Sequence, residues 1–570
     1  MSDLSILNGY KPIDFGLTEY ESYRKHPVTD DEVQLEVVEF AAYCEKRFAA
    51  AAAPVGIGKM LIAITLAKLT NMRTAVVVPY KGLEDQYVTQ LGSHLVDIRG
   101  RSNYTCADYN NLNCKGGVSM GCRYLSRGGG SGCVYERAKD EAKNANVVVM
   151  NYDYWLNVND HVGGLQRTQE EAKWFGENPF ELLILDEGDE ASEKVADYLS
   201  TKMSEQDIKR WVDPRAMSDS IKDWKSMITE YGIVALLEAE IRTTGMELAF
   251  LGKKVTKQQV DVLHGLERLL GKYQRIATIQ DDWVCEKREG TRYGRQWTFD
   301  VVWPGRYTEQ YLFCNIPKVV IMSGTLTPKD MGLLGVNKED FEYRQWASIF
   351  PSKTQPVYLC PPRKKNAKGE WVNININYKT KTEHPEDITA WIDWIDQFIG
   401  MRLDRKGLIL TTSYDWQQLL MSRSRYGDLM IGNSNEADSE SAADVAEQFY
   451  KMAAPRILVS PSFSRGWDFS GKRAEYVIIP KCPFVPLQSK VMKARLERDP
   501  LYGDHVTMKK VEQGNGRAKR SPDDRAETIL MDGHFVHFLK KDSAKKLAQR
   551  WFLESVRTVY EIPPAPAKIA

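Results

Sequence analysis

Two separated regions of the sequence alternate short runs of β-branched residues with helix-like stretches. In the first region the runs are TAVVVP (74–79), NVVVMN (146–151), LLILD (182–186) and KVVIMS (318–323). In the second region they are GLILTTS (407–413), RILVSPS (456–462), YVIIP (476–480) and ETILMD (527–532). Such runs are typical of strands buried on both faces of a parallel sheet, whose connections are helical. The sequence therefore predicts two α/β domains.

Two insertions interrupt the first region. One is rich in cysteine and glycine and runs from about 100 to 133. The other runs from about 200 to 316 and carries leucines at helical spacing, such as Leu263, Leu266 and Leu270.

The charge balance limits how the chain could bind nucleic acid. Its 570 residues include 77 Lys and Arg against 77 Asp and Glu, so any nucleic-acid binding must use local basic grooves. The amino-terminal stretch MSDLSILNGYKPIDFG has no basic segment followed by an apolar one, and no apolar run approaches the length of a membrane span. We expect a cytoplasmic protein without a membrane partner.

The segment APVGIGKM (53–60), followed by the apolar helix pattern LIAITLA, has the features of a phosphate cradle. Glycines ahead of a lysine let backbone N–H groups surround phosphate oxygens, while Lys59 supplies charge near the β- and γ-phosphates. A strict P-loop has Gly at Ala53 and Ser or Thr at Met60, so an ordinary glycine turn is the alternative. The predicted cradle residues are Pro54, Gly56, Ile57, Gly58, Lys59 and Met60.

The segment LLILDEGD ends an apolar run in two carboxylates. The carboxyl end of a buried strand is where an α/β site holds Mg²⁺ and activates water. We expect Asp186 to hold the metal through water and Glu187 to orient or deprotonate the attacking water. The alternative is a solvated acidic loop, because the acidic run continues through Asp189 and Glu190.

The segment EQGNGRAKRSPDD precedes the last predicted strand and contains Gln513, Arg517 and Arg520. Arginines three apart on a helix lie on one face, so Arg517 and Arg520 could both reach a γ-phosphate held by the other domain. A basic surface helix is the alternative.

In order along the chain, the motifs resemble those of superfamily 2 helicases of the XPD/DinG type, from about Tyr23 to Phe535. APVGIGKM resembles motif I, VVVPYKGLEDQ (76–86) motif Ia, DEGD (186–189) the DEAH box and MSGTLTP (322–328) motif III. KGLILTTSYD (406–415) resembles motif IV, SPSFSRGWDFSG (460–471) motif V and QGNGRAKR (513–520) motif VI. GRSNYTC (100–106) is similar to the opening of the family's iron-sulfur insertion.

The resemblance implies two RecA-like motor domains, the first interrupted by a small iron-sulfur insertion and a mostly helical arch. The implied boundaries are 1–99, 135–199 and 317–335 for the first motor domain, 100–134 for the iron-sulfur insertion, 200–316 for the arch and 336–570 for the second motor domain.

The nine cysteines are expected to be thiols or metal ligands. Cys44, Cys285, Cys314, Cys360 and Cys482 are scattered and are predicted to be small core residues. Four thiolates can hold either a [4Fe-4S] cluster or zinc, and the resemblance favours the cluster. The four expected ligands crowd into one segment: Cys106, Cys114, Cys122 and Cys133.

The resemblance further implies an ATP-dependent DNA helicase that uses Mg²⁺ and acts as a monomer, with a DNA-repair role. Single-stranded DNA would thread a pore 5′ to 3′, and forked or tailed duplexes would be unwound. Gly466 and Asp468 of motif V, with Gln513, Arg517 and Arg520, would close the nucleotide site. Gln34 resembles the adenine-reading Q motif. Cationic and aromatic residues that suit a DNA path include Arg99, Arg101, Tyr104, Arg123 and Tyr124.

Three positions depart from the family pattern: Met60 lacks the hydroxyl that touches Mg²⁺, Asp189 replaces the final His of the DEAH box, and Gly324 replaces Ala in motif III. They keep open a second hypothesis, a non-hydrolysing or weakly hydrolysing, ATP-gated nucleic-acid-binding protein with a structural metal site.

Overall fold

The computed structural model describes residues 11–18, 20, 22–26, 30–110, 112–119, 122–126, 132–161, 179–251, 256–291, 294–349, 355–434, 441–464, 466–519 and 525–566. Two seven-stranded sheets dominate it, and every strand pairing within each of them is parallel. The predicted fold class, two parallel-sheet α/β domains, is confirmed.

The first sheet begins in residues 33–199. Its strands here are β1 (Phe48–Ala52), β2 (Thr74–Val78), β3 (Val96–Asp97), β4 (Val147–Asn151) and β5 (Leu182–Asp186). The helices are α1 (Val33–Tyr43), α2 (Lys59–Thr70), α3 (Lys81–Leu91), α4 (Cys114–Ser119), α5 (Arg123–Ser126), α6 (Val134–Asn144), α7 (Tyr152–His161) and α8 (Ala191–Leu199). Every residue of β1, β2, β4 and β5 is buried, as expected for strands covered by helices on both faces.

The second insertion is built from helices and a small sheet. It contains β6 (Thr201–Ser204), α9 (Glu205–Ile208), α10 (Ile221–Glu230), α11 (Ile233–Leu251), α12 (Lys257–Ala277), β7 (Trp283–Thr291) and β8 (Gly294–Val301). The expectation of a mostly helical insertion missed the antiparallel sheet β6-β8-β7. The inward aromatic side chains of this sheet, such as Trp297 and Phe299, pack edge-to-face against Trp224 of α10.

The chain then returns to the first sheet through β9 (Lys318–Met322), α13 (Pro328–Leu333) and β10 (Phe341–Gln345), giving the order β10-β1-β9-β5-β2-β4-β3. The proposed end of the first domain at 335 is therefore too early, because β10 pairs with β1 along its whole length. Its sequence, FEYRQ, is largely polar, since it forms the edge of the sheet.

The second sheet has the order β15-β16-β14-β17-β18-β11-β19. Its strands and a separate hairpin are β11 (Val357–Leu359), β12 (Arg363–Lys365), β13 (Trp371–Asn373), β14 (Lys406–Ile409), β15 (Met430–Ile431), β16 (Arg456–Val459), β17 (Tyr476–Ile479), β18 (Glu527–Leu530) and β19 (Val556–Thr558). The helices are α14 (Tyr378–Glu383), α15 (Pro385–Gly400), α16 (Tyr414–Arg423), α17 (Ala442–Lys451), α18 (Lys490–Arg498), α19 (Tyr502–Asn515), α20 (Gly533–Phe538), α21 (Asp542–Leu547) and α22 (Arg550–Ser555).

The two faces of the first sheet belong to different hydrophobic clusters. Alternate strand residues such as Ala50, Val77 and Leu183 join the cluster that continues into both insertions, whereas Ala51 and Val76 join the cluster under α1 and α2. This division follows the two-residue period of a strand. Within the described residues, no helix is long and apolar enough to cross a membrane.

Candidate nucleotide site between the two sheets

The segment between β1 and α2 has the backbone of a phosphate cradle. Gly56 and Gly58 have φ of 79° and 86°, values that favour glycine, and Gly58 is the N-cap of α2. Lys59 is the first residue of this 12-residue helix, so the positive end of the helix dipole and the ammonium group lie together. The segment is therefore shaped to receive an anion.

Gln34 on α1 fixes the shape of this loop. Its side-chain amide is buried and donates hydrogen bonds to the carbonyl of Ile57 and, at 3.4 Å, to that of Gly58. Its Oε1 accepts from the backbone N of Arg24 at 2.6 Å. A Cβ on Gly58 would lie 2.4 Å from Gln34 Nε2. Gln34 thus contacts the cradle backbone itself.

Asp186 and Glu187 lie beside this cradle. Lys59 Nζ is 2.9 Å from Glu187 Oε1, and Ser323 Oγ donates to Glu187 Oε2 at 3.1 Å. Lys59, Ser323 and Glu187 lie close together because the strand order β1-β9-β5 places motifs I, III and II at the carboxyl ends of three neighbouring strands. Glu187 has φ of 51°, a left-handed conformation that non-glycine residues seldom adopt.

Asp186 is almost completely buried at the end of β5. Its Oδ2 accepts from Tyr87 Oη at 3.0 Å, and its Oδ1 accepts from the backbone N of Glu187 at 2.9 Å. Burial raises the pKa of Asp186 to about 6, against the opposing effect of Lys59. A cation would relieve this burial cost, because it favours the ionised carboxylate. The chemistry of this group therefore fits a hard divalent metal.

Asp189 excludes the alternative of a solvated acidic loop, because its side chain is buried. Its Oδ2 accepts hydrogen bonds from Thr325 Oγ1 at 2.7 Å and from Gln513 Nε2 at 2.9 Å. Thr325 belongs to motif III of the first domain and Gln513 to motif VI of the second. The last residue of motif II therefore contacts both.

The packing around Gly324 and Met60 accounts for two departures from the family pattern in the first domain. A Cβ on Gly324 would lie 3.0 Å from Val55 Cγ2 and 3.4 Å from Val55 N, so the cradle crowds this position and favours glycine. Met60 is partly buried and packs against the apolar cluster under α2. Its thioether therefore lies against the hydrophobic core.

Motifs V and VI of the second domain face this site across the cleft. A Cβ on Gly516 would lie 3.6 Å from Val55 Cγ2, which places motif VI against the cradle. Arg517 Nε donates to the carbonyl of Gln513 at 2.9 Å, and its Nη1 donates to that of Trp467 at 3.0 Å. These bonds fix the Arg517 guanidinium on its own domain and tie motif VI to motif V.

The prediction that Arg517 lies on a helix is wrong, because α19 ends at Asn515 and Gly516–Ala518 form a 3-10 turn. Arg520 lies outside the described residues. Gly466 has φ of 75°, and a Cβ there would lie 3.0 Å from the Tyr80 ring. Asp468 Oδ1 accepts from the backbone N of Ser470 at 3.0 Å.

Sequence reasoning missed a buried ionic network beside motif VI. Lys509 Nζ lies 2.7 Å from Asp330 Oδ1 and donates to the carbonyl of Asp189 at 2.6 Å. His505 Nε2 lies 3.0 Å from the same Asp330 oxygen. His505, Lys509 and Gln513 are four residues apart on α19, so they form one stripe facing the first domain. That spacing was the available signal, but it does not identify the partners.

The four clustered cysteines lie near one another in the first insertion. Cys106 Sγ and Cys122 Sγ are 3.9 Å apart, and Cys106, Cys114 and Cys122 are buried while Cys133 is half-buried. Burial raises the pKa of the Cys114 thiol to about 11, and the other three cysteines contribute to its electrostatic surroundings. Four thiols in one short insertion are, by their chemistry, a donor set for an iron-sulfur cluster or zinc.

The scattered cysteines lie mostly in hydrophobic cores, as predicted. Cys44, Cys285, Cys360 and Cys482 are buried, and Cys314 is half-buried.

The cationic and aromatic residues considered for a DNA path contact their own insertion or its surroundings. Arg99 pairs with Asp85 at 2.6 Å and with Asp97 at 2.7 Å. Arg101 lies over the Tyr135 ring at 5.2 Å. Tyr104 Oη accepts from the backbone N of Arg99 at 3.1 Å. These three side chains therefore have partners at the junction between the first domain and the insertion.

Arg123 pairs with Asp108 at 3.0 Å and lies over the ring of Tyr124 at 5.1 Å. Arg123 is exposed, whereas Tyr124 is half-buried.

Comparison with known proteins gives the same assignment for the fold. Residues 401–553 match the family model of the helicase C-terminal domain. A solved structure described as an XPD helicase is 14% identical with a TM-score of 0.60 and covers 93% of this chain and 100% of that chain. An XPD protein of S. tokodaii is 13% identical with a TM-score of 0.53 and covers 93% of this chain and 100% of that chain.

One curated relative matches a shorter stretch. The 3'-5' exonuclease DinG of Staphylococcus haemolyticus (strain JCSC1435) is 25% identical over 157 residues, which are 26% of this chain and 17% of that protein. This chain therefore matches less than a fifth of the length of that relative.

Proposed function

We propose that this chain, a superfamily 2 helicase of the XPD/DinG type, is an ATP-dependent DNA helicase that moves 5′ to 3′ on single-stranded DNA and unwinds forked or tailed duplexes. The observation that carries the proposal is the convergence of Lys59, Asp186 and Glu187 at the carboxyl ends of neighbouring strands, with motif VI packed against the same cradle. The expected monomeric state, cytoplasmic location and DNA-repair role stay predictions.

In this proposal ATP lies between the domains. The glycine-rich backbone and Lys59 hold the β- and γ-phosphates. When these phosphates engage Lys59, Glu187 is released from its ion pair and can orient the attacking water. Gly466, Asp468, Gln513 and Arg517 line the second-domain side, Arg520 is assigned to this side from the resemblance alone, and cleft closure brings these residues toward the γ-phosphate.

Two groups complete the proposed machinery. Mg²⁺ would be held through water by Asp186, which Tyr87 fixes in place, and would neutralise charge on the phosphates. Cys106, Cys114, Cys122 and Cys133 would hold a [4Fe-4S] cluster that cross-links the insertion as a structural group. The protein itself carries out translocation: the insertions guide one DNA strand, and closure of the cleft moves the two domains along that strand.

The deciding experiment is ATP hydrolysis by anaerobically purified protein, with and without single-stranded DNA. Lys59→Ala is expected to weaken nucleotide binding, whereas Glu187→Gln is expected to bind nucleotide and stop turnover, because it keeps the cradle and removes the group that activates water. Glu339→Gln, which changes an exposed carboxylate of the first domain, is the matched control.

Two results would change the assignment. A normal rate of hydrolysis in Glu187→Gln contradicts the role given to motif II. A parent protein that binds ATP and DNA but does not hydrolyse ATP favours the ATP-gated binding protein. Duplexes with a single 5′ or 3′ tail test the direction, and preferential unwinding of the 3′-tailed substrate contradicts the proposed polarity.

A further inference from the structure

A strongly basic segment of the second domain has no part in the nucleotide site. Residues 361–382 contain six cationic side chains and one carboxylate, although the whole chain has no net charge. The cations are Arg363, Lys364, Lys365, Lys368, Lys379 and Lys381, and the carboxylate is Glu370. A local concentration of this kind is where a neutral chain can attract a polyanion.

The hairpin β12–β13 divides these charges between its two faces. Lys364 points to α15, where its Nζ lies 2.6 Å from Asp387 Oδ2. Arg363 and Lys365 point to the opposite face, as the two-residue period requires. On that face Lys365 is paired in register with Trp371, and its Nζ lies 5.5 Å from the Trp371 ring centroid.

Two exposed aromatic rings accompany these cations. Trp371 is 56% exposed and Tyr560, which follows β19, is 63% exposed. Arg363 Cζ lies 5.4 Å from the Trp371 ring centroid and 4.7 Å from the Tyr560 ring centroid. Arg363 Nε is buried without a hydrogen-bond partner in the described part of the chain. A cavity of about 480 Å³ opens beside these three residues, with Asn373 and Lys540 in its wall.

Lysine side chains also lie beside an aromatic ring next to motif IV. Trp416 lies in the first turn of α16, directly after motif IV strand β14. Lys381 Nζ is 5.6 Å and Lys481 Nζ 5.9 Å from its ring centroid. Tyr378, at the start of α14, is 78% exposed.

These groups share one edge of the second sheet, because each follows the carboxyl end of a strand. In the sheet order, β14 and β11 are separated by β17 and β18. Three strand spacings of about 4.8 Å place the two ends about 14 Å apart. We name the surface formed by Arg363, Lys365, Trp371, Lys381, Trp416 and Tyr560 the carboxyl-edge band.

We propose that the carboxyl-edge band binds single-stranded nucleic acid as it crosses the second domain. The cations neutralise phosphates, and the exposed ring faces of Trp371 and Tyr560 stack on bases. An acidic peptide would use the cations but would gain little from two exposed rings held next to a guanidinium. The inference rests on the proposed function, since it requires a nucleic-acid substrate.

The test is fluorescence anisotropy of a labelled oligothymidine over a range of salt concentrations, with the full chain. Trp371→Ala should weaken binding about tenfold, the loss expected for one stacked base, while Trp371→Phe should bind close to the parent. The double variant Lys365→Gln/Lys381→Gln should reduce the slope of log K against log salt by about 1.4, because each phosphate contact on a single strand contributes about 0.7. Lys338→Gln, at an exposed lysine of the first domain, is the control for loss of a surface lysine outside the band, and circular dichroism verifies folding.

The outcomes separate this inference from the proposed function. Weakened binding in Trp371→Ala and in the double lysine variant, with Trp371→Phe and Lys338→Gln like the parent, supports the band. If the parent binds oligothymidine and the band variants bind like Lys338→Gln, the inference is overturned and the proposed function stands.

Two further results also overturn it. One is competition by polyglutamate as strong as by oligothymidine, with no effect of Trp371→Ala, which would show a general anionic surface. The other is a parent that binds no single-stranded nucleic acid, which overturns the proposed substrate as well.

Discussion

Lys509→Met tests the buried network that joins the two α/β domains. Lys509 Nζ lies 2.7 Å from Asp330 Oδ1 and 3.6 Å from Asp189 Oδ2, and all three side chains are at most 7% exposed. Asp330 uses both carboxylate oxygens, since Oδ2 accepts from Thr327 N at 2.8 Å and from Thr327 Oγ1 at 2.9 Å as the capping box of α13. Removing the ammonium therefore leaves carboxylates that cannot turn toward water.

The expected cost in the free energy of unfolding is about 3–5 kcal/mol, the usual loss when one partner of a buried ion pair is removed. The lower end is expected, because His505 still contacts Asp330. The double variant Lys509→Met/Asp330→Asn should be less destabilised than Lys509→Met, since it no longer buries that uncompensated charge. Lys541→Met is the matched control: its partner Asp504 is at 3.0 Å, but Lys541 is 51% exposed, and such a pair is worth about 0–1 kcal/mol.

Urea unfolding followed by tryptophan fluorescence measures these differences, and its pH dependence adds a second signature. Burial alone would raise the pKa of Asp330, but Lys509 and His505 hold it well below the usual range. The stabilisation is thus complete above the unfolded pKa of about 3.9 and is lost as the pH falls below it. A Lys509→Met variant that loses no more stability than Lys541→Met refutes the reasoning.

Three further predictions concern the nucleotide site, the cysteines and a buried lysine. Met60→Thr should raise DNA-stimulated ATP hydrolysis and lower the Mg²⁺ concentration required, because a hydroxyl is a better ligand for a hard cation than a thioether; an unchanged Mg²⁺ dependence contradicts this. Anaerobically purified protein should contain about four irons per chain, and Cys106→Ser should lose them whereas Cys360→Ser should not. A metal analysis that finds one zinc and no iron would contradict the iron-sulfur cluster and leave only a four-cysteine metal site. Burial lowers the pKa of Lys519 to about 7 from an ordinary 10.5, so the unfolded chain binds more protons between these values and stability rises with pH there. Lys519→Met should remove that rise in urea unfolding, and a parallel rise in the variant would show that Lys519 is not its source.

The strands that the sequence predicted are those with continuous β-branched runs. All eight runs correspond to strands, for example β5 (Leu182–Asp186) and β17 (Tyr476–Ile479). The strand before the cradle, β1, has no such run: its sequence is FAAAA, and alanine favours helices when it is considered alone. It forms a strand because it pairs in parallel with both β10 and β9, and all five of its residues are buried.

The site residues that belong to a local backbone pattern, a glycine loop or the end of a buried strand, could be predicted from the sequence. Glycines before Lys59 are suited to binding phosphate, and carboxylates after a buried strand are suited to holding the metal that accompanies it. The strand order then brings Lys59 Nζ to 2.9 Å from Glu187 Oε1. Contacts between the two domains were not predictable in this way. Lys509 of α19 contacts Asp189 and Asp330 across the interface between the two domains, and no local sequence pattern specifies that pairing.

Asp189 illustrates how a departure from a family pattern can have a structural explanation. Its Oδ2 accepts from Thr325 and Gln513, and its charge lies near the Lys509 ammonium. A histidine at this place could not accept two hydrogen bonds and balance a buried cation at the same time. The aspartate and Lys509 are therefore a matched pair, each of which makes the other tolerable in the interior. Because Thr325, Gln513 and Lys509 come from motif III and from α19 of the second domain, this one carboxylate joins the motif that bears Glu187 to both elements, which would move relative to each other in the proposed closure of the cleft.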